Sequence, residues 1–141
     1  MNLQTVREQL IIDEGLRLIP YHDTAVPPKL TIGVGRNLED VGISKDEALY
    51  LLDNDIKRAV QDLDDSPSLK WWRGMTEMRQ NVLVNMCFNL GLGGLLKFKK
   101  ALAAMEGGRY DDAADEMRDS AWAKQVGGRA VRLVSLMRAG S

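Results

Sequence analysis

Three carboxylates stand close together near the start of the chain: Asp13, Glu14 and Asp23. Asp13 and Glu14 close a segment whose apolar residues Leu3, Val6, Leu10 and Ile11 recur three or four apart. That spacing predicts a helix over Leu3 to Glu14, with Gly15 as its stop. A carboxyl at a helix C-terminus faces the negative end of the macrodipole, which favours the neutral form, and a neutral carboxyl near pH 7 is what a general acid requires. Asp23 falls in a β-prone arm with Thr24 and Thr31 nearby, where it could stay ionised and hold a water. Tyr21 lies two residues from Asp23, hence on the same strand face, and could wall the same cleft. Acidic residues more often simply decorate helix ends, so the carboxylates by themselves name no function.

Other chemistries find no footing. The chain has no His-Glu-x-x-His and no P-loop, and Gly33-Val34-Gly35 lacks the third glycine of a dinucleotide fingerprint. One cysteine, Cys87, and one histidine, His22, exclude an intramolecular disulfide framework and make a metal centre improbable. Cys87 sits on an apolar helical stretch, where a thiol behaves as a small hydrophobe. His22 adjoins Asp23 but points to the opposite strand face, so it reads as a surface residue.

The 141 residues carry 19 basic and 20 acidic groups, are 45% hydrophobic and have a pI near 5.8. This is the balance of one globular domain, and it argues against a nucleic-acid binder. No apolar run approaches membrane-spanning length, and the first residues lack the h-region and cleavage site of a secretory signal. The charge is unevenly spread. Residues 1–96 sum to -4 and residues 97–141 to +3, and from Lys124 onward there are four basic groups and no acidic one. A solvated helix face is the commoner meaning of such a run; a flank that steers toward an anionic polymer is the functional one.

The elements that must position these residues follow from patterning. Tyr21, Thr31 and Ile32 are β-formers and Pro27-Pro28 suits a turn, which predicts a short irregular β-hairpin between Arg17 and Arg36. Ser44-Lys45-Asp46-Glu47 is a capping box, and Ala48, Leu51, Leu52, Ile56, Ala59, Val60 and Leu63 form one apolar stripe behind it. This predicts a connector helix of about 44–64 that breaks at Ser66-Pro67. Thr76 opens a core helix ended by Gly91, and further helices are expected over Leu95–Glu106, Asp111–Asp119 and Gly128–Arg138. The class is α+β, mostly α.

Glu14-Gly15-Leu16-Arg17-Leu18, Tyr21-x-Asp23 and Thr31-Ile32-Gly33-x-Gly35 together resemble the catalytic segment of phage-type lysozymes, the soluble muramidase endolysins. That family carries a Glu, eight residues, an Asp, and then a Thr in a Thr-Ile-Gly strand. The likeness continues through Ile43–Ala48, Asn85-Met86-x-Phe88-Asn89-x-Gly91, Arg109–Ala114, Ser120-x-Trp122 and Arg129-Ala130-x-Arg132, so it covers essentially the whole chain. It implies a lysozyme-like fold in one catalytic domain, 1–141. A small β lobe of about 15–43 would be joined by the connector helix to a helical lobe of about 65–141, which also takes in the N-terminal helix.

The resemblance also implies roles. Glu14 would protonate the departing glycosidic oxygen, and Asp23 with Thr31 would hold the water that attacks C1. Tyr21, Asn89 and Arg129 would bind substrate, with Arg129 beside the acid and Asp13 paired to Arg132. An inverting course would set the two carboxyls about 6.5–9.5 Å apart. Two departures stand out. Seven residues separate Asp23 from Thr31 where the family usually has five, and Arg36 stands where histidine is common. The implied activity is cleavage of the β-1,4 bond between N-acetylmuramic acid and N-acetylglucosamine in bacterial peptidoglycan. It would need no cofactor and be performed by a monomer that waits in the host cytoplasm without stable membrane association. A lytic transglycosylase and a non-catalytic wall-binding module are the alternatives.

Overall fold

Leu3–Glu14 form helix α1, as the apolar spacing requires, in a computed structural model that describes residues 1–141. Asn2 caps its start by accepting from the Thr5 amide, and Gly15 ends it with a backbone N–H to the Ile11 carbonyl at 2.9 Å. The chain divides into two units, residues 1–50 and 51–141.

In the first unit, β1 (Arg17–His22), β2 (Leu30–Gly33) and β3 (Arg36–Asn37) make an antiparallel sheet in the order β1-β2-β3. The expected hairpin is therefore present but has a third strand. Two residues of β3 were too few for a period-two pattern to reveal. Tyr21 pairs with Thr31 and His22 with Leu30, while an irregularity between Arg17 and Tyr21 shifts the register. Thr31 and Ile32 pair on their other side with Asn37 and Arg36.

A second tie closes the sheet. Arg36 donates from Nη1 to the Gly42 carbonyl at 3.0 Å and to the Glu47 carboxylate at 2.9 Å. Glu47 also accepts from the Ser44 backbone amide at 2.9 Å, while Ser44 Oγ accepts from the Glu47 amide at 3.1 Å. The expected capping box thus starts α2 (Lys45–Asp65), and the same carboxylate holds β3. The Arg36 guanidinium and the Ser44 bonds hold the Glu47 carboxyl at about 2, below its ordinary 4.5.

Helix α2 runs on into the second unit, where its Ala59 and Leu63 are buried in the core. It stops at Ser66-Pro67 as expected, and two 3-10 turns follow, Pro67–Leu69 and Trp72–Gly74. Asp64 fastens this corner by accepting from Trp72 Nε1 and from Arg73 Nε and Nη2 at 2.8–3.0 Å. Helix α3 (Glu77–Leu95) is capped by Thr76 and breaks at Gly91, whose φ of 72° and ψ of 164° no helix contains. Gly91 thus ends the regular helix as expected, and a separate short helical piece follows it to Leu95.

The following helix, α4 (Lys99–Glu106), therefore begins four residues later than its pattern suggested, after a turn through Leu96–Phe98. α5 (Tyr110–Arg118) and α7 (Gly128–Ala139) agree with expectation to within a residue at each end. Between them α6 (Ala121–Val126), capped by Ser120, was too short for periodicity to disclose. Helix α5 packs on both α4 and α7. Its fully buried Ala113 and Ala114 let the backbones approach, while Met86, Met105, Met117 and Met137 fill the remaining space with unbranched, adaptable chains. Cys87 is buried, its thiol pushed up by burial, and Sγ lies 3.8 Å from the Ala59 carbonyl, so it serves packing. No single helix is long and apolar enough to cross a membrane.

Two measurements check this account. Met86→Ala should cost about 2–5 kcal/mol in urea unfolding, because the cavity lies in closely packed core; a loss under about 1 kcal/mol would contradict that packing. Glu47 has a lowered carboxyl pKa, so its contribution to stability is present above the ordinary range and fades as pH falls from 4.5 toward about 2. The urea midpoints of the parent and Glu47→Gln should therefore converge across that window, whereas parallel curves would remove Glu47 as a stabilising partner of Arg36.

Candidate functional site

The β1–β2 connection shapes the surroundings of Asp23. The Asp23 backbone N–H donates to the Lys29 carbonyl at 2.9 Å, carrying the ladder one residue past β1. Its carboxylate turns back on the loop: Oδ1 accepts from the Ala25 amide at 3.1 Å and from the Lys29 amide at 2.8 Å. Both bonds fall on one oxygen, which leaves Oδ2 free. The long connection thus has an internal brace, and Asp23 is the brace.

Thr31 stands directly across the ladder from Tyr21, and Asp23 follows Tyr21 by two, so the three share one face with Asp23 and Thr31 as diagonal neighbours. Thr31 is only 3% exposed. Its Oγ1 donates to the Lys29 carbonyl at 2.8 Å, so towards any water the hydroxyl offers only lone pairs. Thr24 lies exposed in the loop and has no such place in the ladder. Tyr21 carries the Arg17 guanidinium over its ring, 4.3 Å from the centroid. Arg17 entered the motif without a role, because the irregular register of β1 decides which residues meet.

Glu14 is the last residue of α1 and is exposed to solvent. Its side chain lies against the β2–β3 turn at Gly35: a Cβ built on that glycine would stand 3.0 Å from Glu14 Oε2 and 3.1 Å from Cδ. Gly35 entered the sequence pattern only as a motif residue, and its nearness to the carboxyl is a product of folding.

The second unit holds Asn89 and Arg129. Asn89 Oδ1 accepts from Trp122 Nε1 at 2.8 Å, which orients the amide and leaves its NH2 as the donor available to a ligand. Trp122 is itself fixed edge-on against Phe98, with centroids 5.9 Å apart. Arg129 donates from Nε to Asn85 Oδ1 at 2.9 Å and from Nη2 to the Asn85 carbonyl at 3.5 Å. Asn85 and Asn89 are four apart on α3 and therefore share its face, so this unit gathers both its candidate residues on one side of one helix. The donor set offers no metal site, since no group of three or more His, Cys, Asp or Glu comes together.

Comparison with known proteins bears on the whole chain. The phage lysozyme family model matches residues 12–139. The pre-baseplate central spike protein Gp5 of Enterobacteria phage T4 is 31% identical over 161 residues, which take in 97% of this chain. They span only 28% of that relative's own length. Probable T4-type lysozyme 1 of Dictyostelium discoideum is 26% identical over 166 residues, covering 99% of this chain and 96% of its own. Probable T4-type lysozyme 2 of the same organism is likewise 26% identical with the same coverage. A mostly helical α+β chain with a three-stranded antiparallel sheet near its start, matched by the family model over nearly its full length, belongs to the phage lysozyme family of peptidoglycan hydrolases.

Proposed function

We propose that this chain hydrolyses the β-1,4 glycosidic bond between N-acetylmuramic acid and N-acetylglucosamine, with Glu14 as general acid and Asp23 and Thr31 holding the attacking water. Glu14 donates its proton to the glycosidic oxygen as the C1–O bond breaks. On the opposite ring face a water attacks C1 and gives up a proton to Asp23 Oδ2. Each carboxyl then recovers its starting state by exchange with solvent. Tyr21 walls the glycan on the Asp23 face, while the Asn89 NH2 and the Arg129 guanidinium serve as substrate donors. The enzyme acts as a monomer on the wall after release from the host cytoplasm.

The observation that carries this reading is the hydrogen bonding at Lys29. The Lys29 carbonyl accepts the Thr31 hydroxyl's hydrogen bond, and the Lys29 N–H donates to Asp23 Oδ1. Thr31 Oγ1 and Asp23 Oδ2 are thereby left as two acceptors on one sheet face. A water bridging them spends both its O–H bonds on the protein and has a lone pair to aim at carbon. A lytic transglycosylase has no use for such a water, and this favours hydrolysis over the anhydro-forming alternative.

Mass analysis of glycan fragments from purified wall tests the assignment. The parent should release reducing, hydrated muramic ends. Glu14→Gln should release none while remaining folded, and Asp23→Asn should be slower by about 10²–10⁴-fold. Anhydro products from the parent, or full activity in either variant, would overturn the mechanism. Thr31 and Thr24 compete for the role of water ligand across the lengthened connection. Thr31→Ala should therefore lose far more turnover than Thr24→Ala, and the reverse order would reassign the hydroxyl.

A further inference from the structure

We propose that Gly35 is a positioning residue for Glu14: the absence of a side chain there creates the space in which the acid's carboxyl lies. The inference rests on the reading of Glu14 as the general acid. Three Glu14 atoms, Oε2, Cδ and Cγ, lie 3.0, 3.1 and 3.2 Å from where a Cβ would project, closer than carbon normally packs. The contact covers the reactive end of the side chain and the two carbons behind it, so the glycine backbone forms one wall of the carboxyl's place.

The wall is not free to retreat. Gly35 has a φ of 66°, in the region glycine favours, and Arg36 immediately after it is bonded to the Gly42 carbonyl and to Glu47. On the other side, Glu14 ends α1 and its backbone is fixed by the Gly15 cap. With both backbones anchored, a methyl group at Gly35 is accommodated only by swinging the Glu14 side chain aside. The fold tolerates that movement, since Glu14 is exposed and makes no protein hydrogen bond that would be lost. A general acid is sensitive to it: the methyl group shifts the carboxyl by a few tenths of an ångström, and a full displacement of about 1 Å costs ~10²-fold in rate.

Gly33 supplies the control. It lies at the other end of the same turn with a φ of 70°, so alanine there meets the same backbone strain, yet nothing stands within 4 Å of its Cβ position. Gly35→Ala and Gly33→Ala should lose similar amounts of thermal stability. Only Gly35→Ala should lose kcat, by about tenfold or more, with KM on solubilised peptidoglycan fragments within about threefold of the parent. Equal kcat in the two variants, whether both high or both low, would reduce Gly35 to a turn residue.

Should Gly35→Ala fail to fold, the parent protein still decides the matter by NMR. Nuclear Overhauser contacts should join the Gly35 Hα protons to the Glu14 Hγ protons. Their absence would overturn the contact. Failure of the catalytic reading shows separately, as retained activity in Glu14→Gln, whatever the glycine variants do.

Discussion

The Glu47 carboxylate is the hinge on which the first unit's order turns. It caps the start of α2 through Ser44, an arrangement of local sequence, and it binds Arg36 from β3, an arrangement of tertiary structure. A two-residue strand has too few ladder bonds to hold itself. The Arg36 side chain adds two more anchors, to Glu47 and to the Gly42 carbonyl, and so pins the turn that carries Gly35. The guanidinium presents a planar fork of donors that a histidine lacks, so the arginine at this position reaches a carboxylate and a carbonyl together.

From that turn the constraints run to the chemistry. Glu14 projects from the end of a helix against the backbone of Gly35, while Asp23 and Thr31 are organised by a separate device, the backbone of Lys29. The two carboxyls are thus set by different parts of the sheet and have different surroundings. One lies against bare backbone with no protein donor on it, and the other is braced by two amides on a single oxygen. Unlike surroundings of this kind are what the proposed division of labour between two carboxylates requires. In the second unit the same economy recurs: Trp122 and Asn85 use up the hydrogen-bonding groups of Asn89 and Arg129 that face the protein, and leave the rest outward.

Much of this was legible before folding. The apolar period of α1, the Ser44–Glu47 capping box and the Ser66-Pro67 break each rest on interactions within about a turn of chain, and each was found where it was read. Gly91 likewise stops the regular helix where a glycine after an apolar stretch predicts it. What escaped was too short to show a period: β3, α6, the 3-10 turns and the short helical piece from Gly91 to Leu95, which delays the start of α4.

The sequence by itself determined the class, the order of most helices, the lysozyme resemblance and the identities of Glu14, Asp23 and Thr31 as the residues to watch. These are matters of type and spacing, and spacing survives without coordinates. Only the tertiary structure decided which oxygen of Asp23 is free, that Thr31 faces Tyr21 across the ladder while its hydroxyl is spent on Lys29, and that Glu14 lies against Gly35. Hydrogen bonds and close contacts between residues distant in sequence depend on register and on anchored backbones. Those are set by the balance of packing and polar satisfaction over a whole unit, which no short motif contains.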